Sequence, residues 1–261
     1  MKQDFIQDLG KRFGQLFYTG VIDTELEFEF ENIGIQDAYQ VQDAAISIRK
    51  LNGEHIAGYK VGCTSQSIRK QLNLTDPYHA KILGEHIHIT DEKLLNIADY
   101  VNCAIEPELV ICLGADIDEE NLDDEQLKQA IAYLSPGIEI HNFKFWFGKP
   151  TIQELIMSNG LFACLLVGEE KARCETFDFH NARFSVASGN DLITTGNAST
   201  IMGGPLKSLR WLVKALATRG ETLKAGQFII PGSPVELIRI ERKMKFKIEI
   251  SGVGSVSAEF I

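Results

Sequence analysis

Beyond His55 the chain breaks into a succession of short apolar runs separated by polar turns, and this texture limits the fold more than any other feature. The runs cover 56–63, 105–113, 137–140, 161–167, 179–187, 227–231, 246–250 and 255–260. Segments of this length, rich in branched and aromatic residues, read as strands. Helical spacing breaks in at only two places, 124–134 and the stretch from Pro205 to just before Gly220. The second opens on a proline, a favoured first helical residue, and carries Leu206, Leu209, Leu212, Val213 and Leu216 on one face. Strands that do not alternate regularly with helices exclude a doubly wound sheet. A different texture precedes His55. Phe5, Ile6, Leu9, Phe13, Leu16 and Phe17 make a helical face over 2–19, and Ala38, Val41, Ala44, Ala45, Ile48 and Leu51 make another over 37–51, stopped at Gly53. The chain reads as an α+β protein with a helical layer at 1–53 and a β-rich core at 54–261.

Charge narrows the partners. With 26 Lys and Arg against 36 Asp and Glu, the net charge is −10. Nucleic acid needs clustered cations and is excluded as a partner. No Gly-x-Gly-x-x-Gly follows a strand and no Walker A loop is present, so nucleotide cofactors are not expected. The cysteines, 5 in number, lack Cys-x-x-Cys spacing and sit mostly in apolar segments, as buried thiols of a reducing compartment do. No signal peptide or long apolar span stands out, so the expected location is the cytoplasm, away from membranes.

Several segments carry chemistry. In Ala104-Ile105-Glu106-Pro107-Glu108-Leu109-Val110-Ile111-Cys112-Leu113, a strand would put Glu106 and Glu108 on one face. Two adjacent carboxylates before a buried run must share a proton or a cation, and hard cations prefer oxygen. The competing reading is a solvated strand end, which Pro107 favours. Glu139, in Gly137-Ile138-Glu139-Ile140, is a lone carboxylate in an apolar strand and needs a partner, either a cation or a buried Lys or Arg. Lys60 lies between glycines in Gly58-Tyr59-Lys60-Val61-Gly62-Cys63-Thr64-Ser65, placed either for an anionic oxygen or for solvent at an edge. The Gly-rich stretch 195–205 feeds a helix N-terminus, which suits anions but also fits a plain turn. His141, two residues past Glu139, is a candidate for the same pocket, whereas His86-x-His88 lacks the accompanying ligands of a zinc site.

Taken in order, these segments resemble the fumarylacetoacetate hydrolase superfamily, in its 2-hydroxypenta-2,4-dienoate hydratase and 4-oxalocrotonate decarboxylase branch. Gly58-Tyr59-Lys60-Val61-Gly62-Cys63-Thr64 looks like that branch's Gly-Arg-Lys-Val-Gly-Leu-Thr, and Ile105-Glu106-Pro107-Glu108 like its Ile-Glu-Ala-Glu. Gly137-Ile138-Glu139-Ile140 looks like its Ala-Leu-Glu-Val, Leu223-Lys224-Ala225-Gly226 like its Leu-Lys-Ala-Gly-Asp turn, and Gly252-Val253-Gly254-Ser255-Val256 like its closing Gly-Ile-Gly-Ser-Val. The departures are local. Tyr59 stands where Arg is common and Gly204 where His is common, Ser158-Asn159 replaces Asp-Asn, and Ile230-Pro231-Gly232 replaces Leu-Thr-Gly.

The resemblance implies mixed, rolled sheets, Mg²⁺ or Mn²⁺ held by Glu106, Glu108 and Glu139, and Lys60 as a catalytic residue. It sets Ser65, Ser158, Asn159 and Gly204 on the substrate side. It also implies a small 2-oxo acid as substrate, and a homo-oligomer or a complex with a pathway enzyme. The implied reaction is a lyase step, hydration of a 2-hydroxydienoate or decarboxylation of 4-oxalocrotonate. The alternatives are a C–C bond hydrolase, for which His141 would be the base, and a weakened homologue that binds a ligand or partner enzyme.

Overall fold

The architecture is taken from a computed structural model, which describes residues 3–19, 30–66, 69–70, 74–142 and 150–261. The part of the N-terminal layer at 20–29 lies outside them. Two helices open the chain, α1 (Gln3–Thr19) and α2 (Ile35–Leu51). Their apolar faces meet through Ile6, Leu9, Phe13, Val41 and Ala45, with Phe13 edge-on to Phe30. The same cluster takes in Tyr78, Ala80 and Leu155 from beyond residue 54, so the helices share their core with the rest of the chain.

Two mixed sheets follow. The larger has strands β1 (Ile56–Gly62), β2 (Tyr78–Leu83), β3 (Ile87–Ile89), β5 (Ala104–Leu113), β6 (Ile131–His141), β7 (Phe162–Val167) and β10 (Phe228–Ile230), in the spatial order β2-β1-β10-β5-β6-β7-β3. A short β11 (Ile238–Arg239) also pairs with β5. The smaller sheet runs β4-β13-β12-β8-β9, made of β4 (Glu92–Leu95), β8 (Arg183–Ser188), β9 (Asp191–Asn197), β12 (Met244–Ile250) and β13 (Gly254–Phe260). Three more helices are α3 (Asp124–Gln129), α4 (Ile152–Met157) and α5 (Pro205–Ala217). No described helix is long and apolar enough to cross a membrane.

Register divides the large sheet into two faces. Ile105, Leu109 and Ile111 of β5, Ile138 and Ile140 of β6 and Tyr59 and Val61 of β1 face outward. They pack on Leu209, Leu212 and Leu216 of α5 and on Phe184, Phe246 and Phe260 of the second sheet. Side chains of the opposite parity, Ile82, Val110, Leu165, Val167 and Ile230, form a separate buried cluster with Phe162. Ile82 belongs to an edge strand and Val167 to one near the other end of the order, yet both join this cluster. The sheet therefore curls around it. The inner face is a narrow interior, dry at its floor and polar where Lys60, Glu106, Glu108 and Glu139 enter.

Some elements differ from expectation. The helix read over 124–134 ends at Gln129, and Ile131 already begins β6. The capping box of Asp123 and Gln126 starts that helix correctly, but the apolar residues 131–134 are drawn into the ladder with β5. The run at 179–187 begins as a strand only at Arg183, because residues 174–182 turn under the second sheet with Phe177 packed edge-on against Phe179. β2 was not expected at all. Its Tyr78-His79-Ala80-Lys81-Ile82-Leu83 mixes polar residues into a fully buried strand.

Candidate metal and acid-binding site

The ladder between β5 and β6 builds the site. Glu106 lies directly across from Glu139, Glu108 across from Gly137 and Ala104 across from His141. Opposed residues of an antiparallel pair share a face. Glu106, Glu108, Glu139 and His141 therefore project together into the curled interior. On its other side β5 meets β10 only near Ile111 and β11 only near Ile105. Between those short partners falls Pro107, which has no N–H to contribute to a ladder. Into the same gap comes Gly232, whose N–H donates to Glu108 Oε2 at 3.1 Å. Only glycine suits that place: its φ is +115°, and a Cβ there would stand 2.2 Å from Thr64 Oγ1.

The charges are crowded and almost dry. Glu108 and Glu139 are both buried. Lys60 reaches across from β1 to form an ion pair with Glu139 Oε1, and its Nζ also donates to Gly160 O at 3.0 Å. His141 Nε2 lies 3.0 Å from Glu106 Oε2 and 3.6 Å from Glu139 Oε2. Burial drives the Glu108 carboxyl well above its ordinary range, and the neighbouring Glu106 and Glu139 charges push it further the same way. Glu106 goes the other way: burial would raise it, but the His141 bond and the charges of His141 and Lys60 outweigh burial and lower it. Desolvation and the Glu106 charge push the Cys63 thiol up to about 12.

One ligand atom each from Glu106, Glu139 and His141 lies within 4.8 Å of the others. Glu139 Oε2 is buried without a hydrogen-bond partner. A buried carboxylate oxygen in that state carries a large desolvation cost unless a cation takes it. The fit to a divalent ion thus rests on an orphaned oxygen, two further carboxylates on the same face and an imidazole beside them.

The remaining predicted residues occupy distinct places. Ser158 and Asn159 belong to a tight turn after α4 in which Asn159, Gly160 and Leu161 have φ values of 56°, 65° and 61°. Successive left-handed residues are costly for side chains other than glycine, and such strain gathers at functional sites. The turn aims Gly160 O at Lys60. Ser158 Oγ bonds Leu155 O at 3.2 Å. The Asn159 carboxamide accepts from Lys81 N at 2.7 Å and donates to Lys81 O at 2.8 Å, closing the exposed side of edge strand β2 as another strand would. Ser65 lies just past β1 in a groove with Thr195 and Pro234. Gly204 N-caps α5, and a Cβ on it would have Phe179 O as its neighbour at 3.1 Å. The Gly-rich stretch and the helix after it reach the carboxylates indirectly: Thr200 bonds Pro234 O and Ser208 of α5 bonds Pro231 O, and together they hold the loop that carries Gly232.

Sequence reasoning passed over Tyr78, Gly160 and the Gly232 N–H. The main-chain groups leave no residue-type signal, and Tyr78 lies in the strand whose polar residues hid it. His141 was detectable from its parity with Glu139.

No family profile matches the chain. It is 24% identical over 223 residues to the 2-keto-4-pentenoate hydratase of Burkholderia vietnamiensis strain G4, covering 85% of each chain. It is 23% identical over 260 residues to the 2-hydroxyhexa-2,4-dienoate hydratase of Comamonas testosteroni, covering 99% of this chain and 98% of the other. Its fold matches the 4-oxalocrotonate decarboxylase of Pseudomonas putida G7, a structure complexed with magnesium and adipate, with a TM-score of 0.92 at 21% identity over 100% and 99% of the chains. Likeness in sequence and in fold thus runs to the same hydratase and decarboxylase branch as the motifs.

Proposed function

We propose that this chain is a divalent-metal-dependent lyase for a small 2-oxo or 2-hydroxydienoate acid, which hydrates 2-hydroxypenta-2,4-dienoate to 4-hydroxy-2-oxopentanoate or decarboxylates 4-oxalocrotonate. The observation that carries this reading is the convergence of Glu106, Glu139 and His141 within 4.8 Å, beside Glu108 and Lys60, in a buried interior. The resemblance to hydratases and to a decarboxylase supports the choice of substrate.

Glu106, Glu108 and Glu139 would hold Mg²⁺ or Mn²⁺, with His141 at their side. Held there, the cation would supply Lewis acidity to a 2-oxo acid. In both reactions negative charge builds on the 2-oxygen of that acid, as water adds to the distal double bond or as CO₂ leaves. Lys60 is suited to meet the charge. An ammonium has three N–H donors, and Glu139 and Gly160 O take two of them, leaving one for the acid. His141 fixes the Glu106 carboxylate through its bond to Oε2. The plug of Ile82, Val110, Leu165 and Ile230 closes the interior below and keeps bulk water off these charges.

The test is to add Mg²⁺ or Mn²⁺ with 2-hydroxypenta-2,4-dienoate and follow the dienol absorbance, then to supply 4-oxalocrotonate and measure CO₂. Cation-dependent turnover of one of them, abolished by chelator, is expected. Absence of turnover on both together with absence of cation binding would overturn the proposal.

A further inference from the structure

β2 has a second face. Side chains alternate along a strand, so Tyr78 and Ala80 share the side of Lys60 while His79 and Lys81 leave on the other. On that outer side lies a cavity of about 300 Å³ among α2, α4, α5 and the segment that leads into β2. Its walls are largely apolar, made by the rings of Tyr39, His79 and Trp211 and the aliphatic chains of Leu74, Ile152 and Ile156. His79 stacks on Tyr39 at 4.5 Å, and Trp211 stands 6.5 Å from it with the planes 56° apart, so the rings form an aromatic corner. His79 is 1% exposed, yet its ring makes no hydrogen bond among the described residues, and Nδ1 is buried without a partner. Burial holds the imidazole neutral. In that form it has one N–H donor and one acceptor, and leaving either unmet in an apolar enclosure is costly. The cations beside it are already engaged. Arg219, which also lines the cavity, pairs with Asp43 and Glu221, and Lys81 pairs with Asp43 at 2.7 Å.

We propose that this cavity is a second binding site, for a small uncharged aromatic ring that carries a hydroxyl group, a simple phenol. The ring packs in the corner beside Trp211 and against the isoleucines of α4, and the hydroxyl meets the His79 imidazole. A hydroxyl both donates and accepts, so it satisfies either tautomer. A hydrocarbon of the same shape leaves the imidazole unmet. A carboxylate gives up its hydration and finds no unpaired cation in return. β2 stands between this cavity and the carboxylates of the inner face, so binding here needs neither the cation nor the 2-oxo acid reading.

The experiment titrates phenol, toluene and benzoate into wild type, His79→Phe and Ala215→Leu, with chelator present so that benzoate has no metal to bind, and follows binding by ligand-observed NMR. Ala215 lines the cavity from α5, and leucine there fills it without disturbing a helix. Wild type is expected to bind phenol roughly tenfold more tightly than toluene, and benzoate least. His79→Phe keeps the stack on Tyr39 and should bring phenol down to the affinity of toluene. Ala215→Leu should weaken phenol and toluene together. No phenol binding by wild type would overturn the proposal. So would phenol binding that Ala215→Leu leaves unchanged, which places the ligand elsewhere, or a phenol-to-toluene ratio that His79→Phe leaves unchanged, which removes the imidazole from the contact. Benzoate bound as tightly as phenol would overturn the assignment of an uncharged ligand.

Discussion

Lys60 and Glu139, 79 residues apart in sequence, form an ion pair in which the lysine side chain is 2% exposed and the glutamate side chain 1%. Two intervening strands, β10 and β5, separate β1 from β6 in the sheet order, so the contact exists because the sheet curls. Removing one member strands the other as a buried charge. Lys60→Met should destabilise the metal-free protein by about 3–5 kcal/mol, read from urea unfolding in chelator. Added Mg²⁺ should recover more stability in the variant than in wild type, and activity should fall at least about a hundredfold. Unchanged unfolding in chelator would show that the two groups are not held as a buried ion pair.

Glu108 differs from its neighbours in lacking a cationic partner at bonding distance among the described residues, and it takes one main-chain N–H from Gly232 instead. Glu108→Gln keeps its size and its capacity to accept from Gly232. Cation-dependent turnover should be lost while the fold, followed by circular dichroism, is retained. Stability in chelator should match or exceed wild type, because burial and the adjacent Glu106 and Glu139 disfavour the charged form. Wild-type activity in this variant would remove Glu108 from the metal set.

His79 gives stability a pH dependence unconnected with turnover. Its ring stacks on Tyr39 at 4.5 Å on the outer side of β2, and burial, with Lys81 and Arg219 adding to it, lowers its pKa from 6.5 to about 3. The folded state therefore holds the imidazole neutral where the unfolded chain protonates it. The stabilisation is complete above 6.5 and is lost as the pH falls toward 3. The slope from this one group is about 1.4 kcal/mol per pH unit inside that window. His79→Phe preserves the stack and should flatten the acid limb of a stability-against-pH curve. An unaltered limb would assign the acid sensitivity to other groups.

Asn159 closes the free side of β2 through both main-chain groups of Lys81. Asn159→Ala leaves a buried N–H and a buried C=O without partners and should cost about 2–4 kcal/mol in urea unfolding. Asn159→Asp retains the acceptor for Lys81 N and should lose less. A variant of normal stability with weakened acid binding would instead put the carboxamide in contact with the ligand.

What the residues alone determined was local. Period-two spacing set Glu106 and Glu108 on one face of β5 and His141 on the face of Glu139. Helical spacing located α1, α2 and α5 within a few residues of their ends. The motif order carried the likeness to the hydratase and decarboxylase branch, with its mixed, curled sheets. Tertiary structure decided what depends on distant chain segments meeting. It set β6 against β5, so that Glu139 faces Glu106, and it pulled residues 131–134 out of a helical reading into that ladder. It chose an ion pair with Glu139 for Lys60 over solvent, set the Gly160 carbonyl against the ammonium and the Gly232 amide against Glu108, and stood Tyr78 over the same interior. Side-chain parity along a strand is a property of neighbouring backbone bonds and can be read from a string of residues. Which strands lie side by side, and how far the sheet bends to bring its edges together, depends on burying all the apolar faces at once.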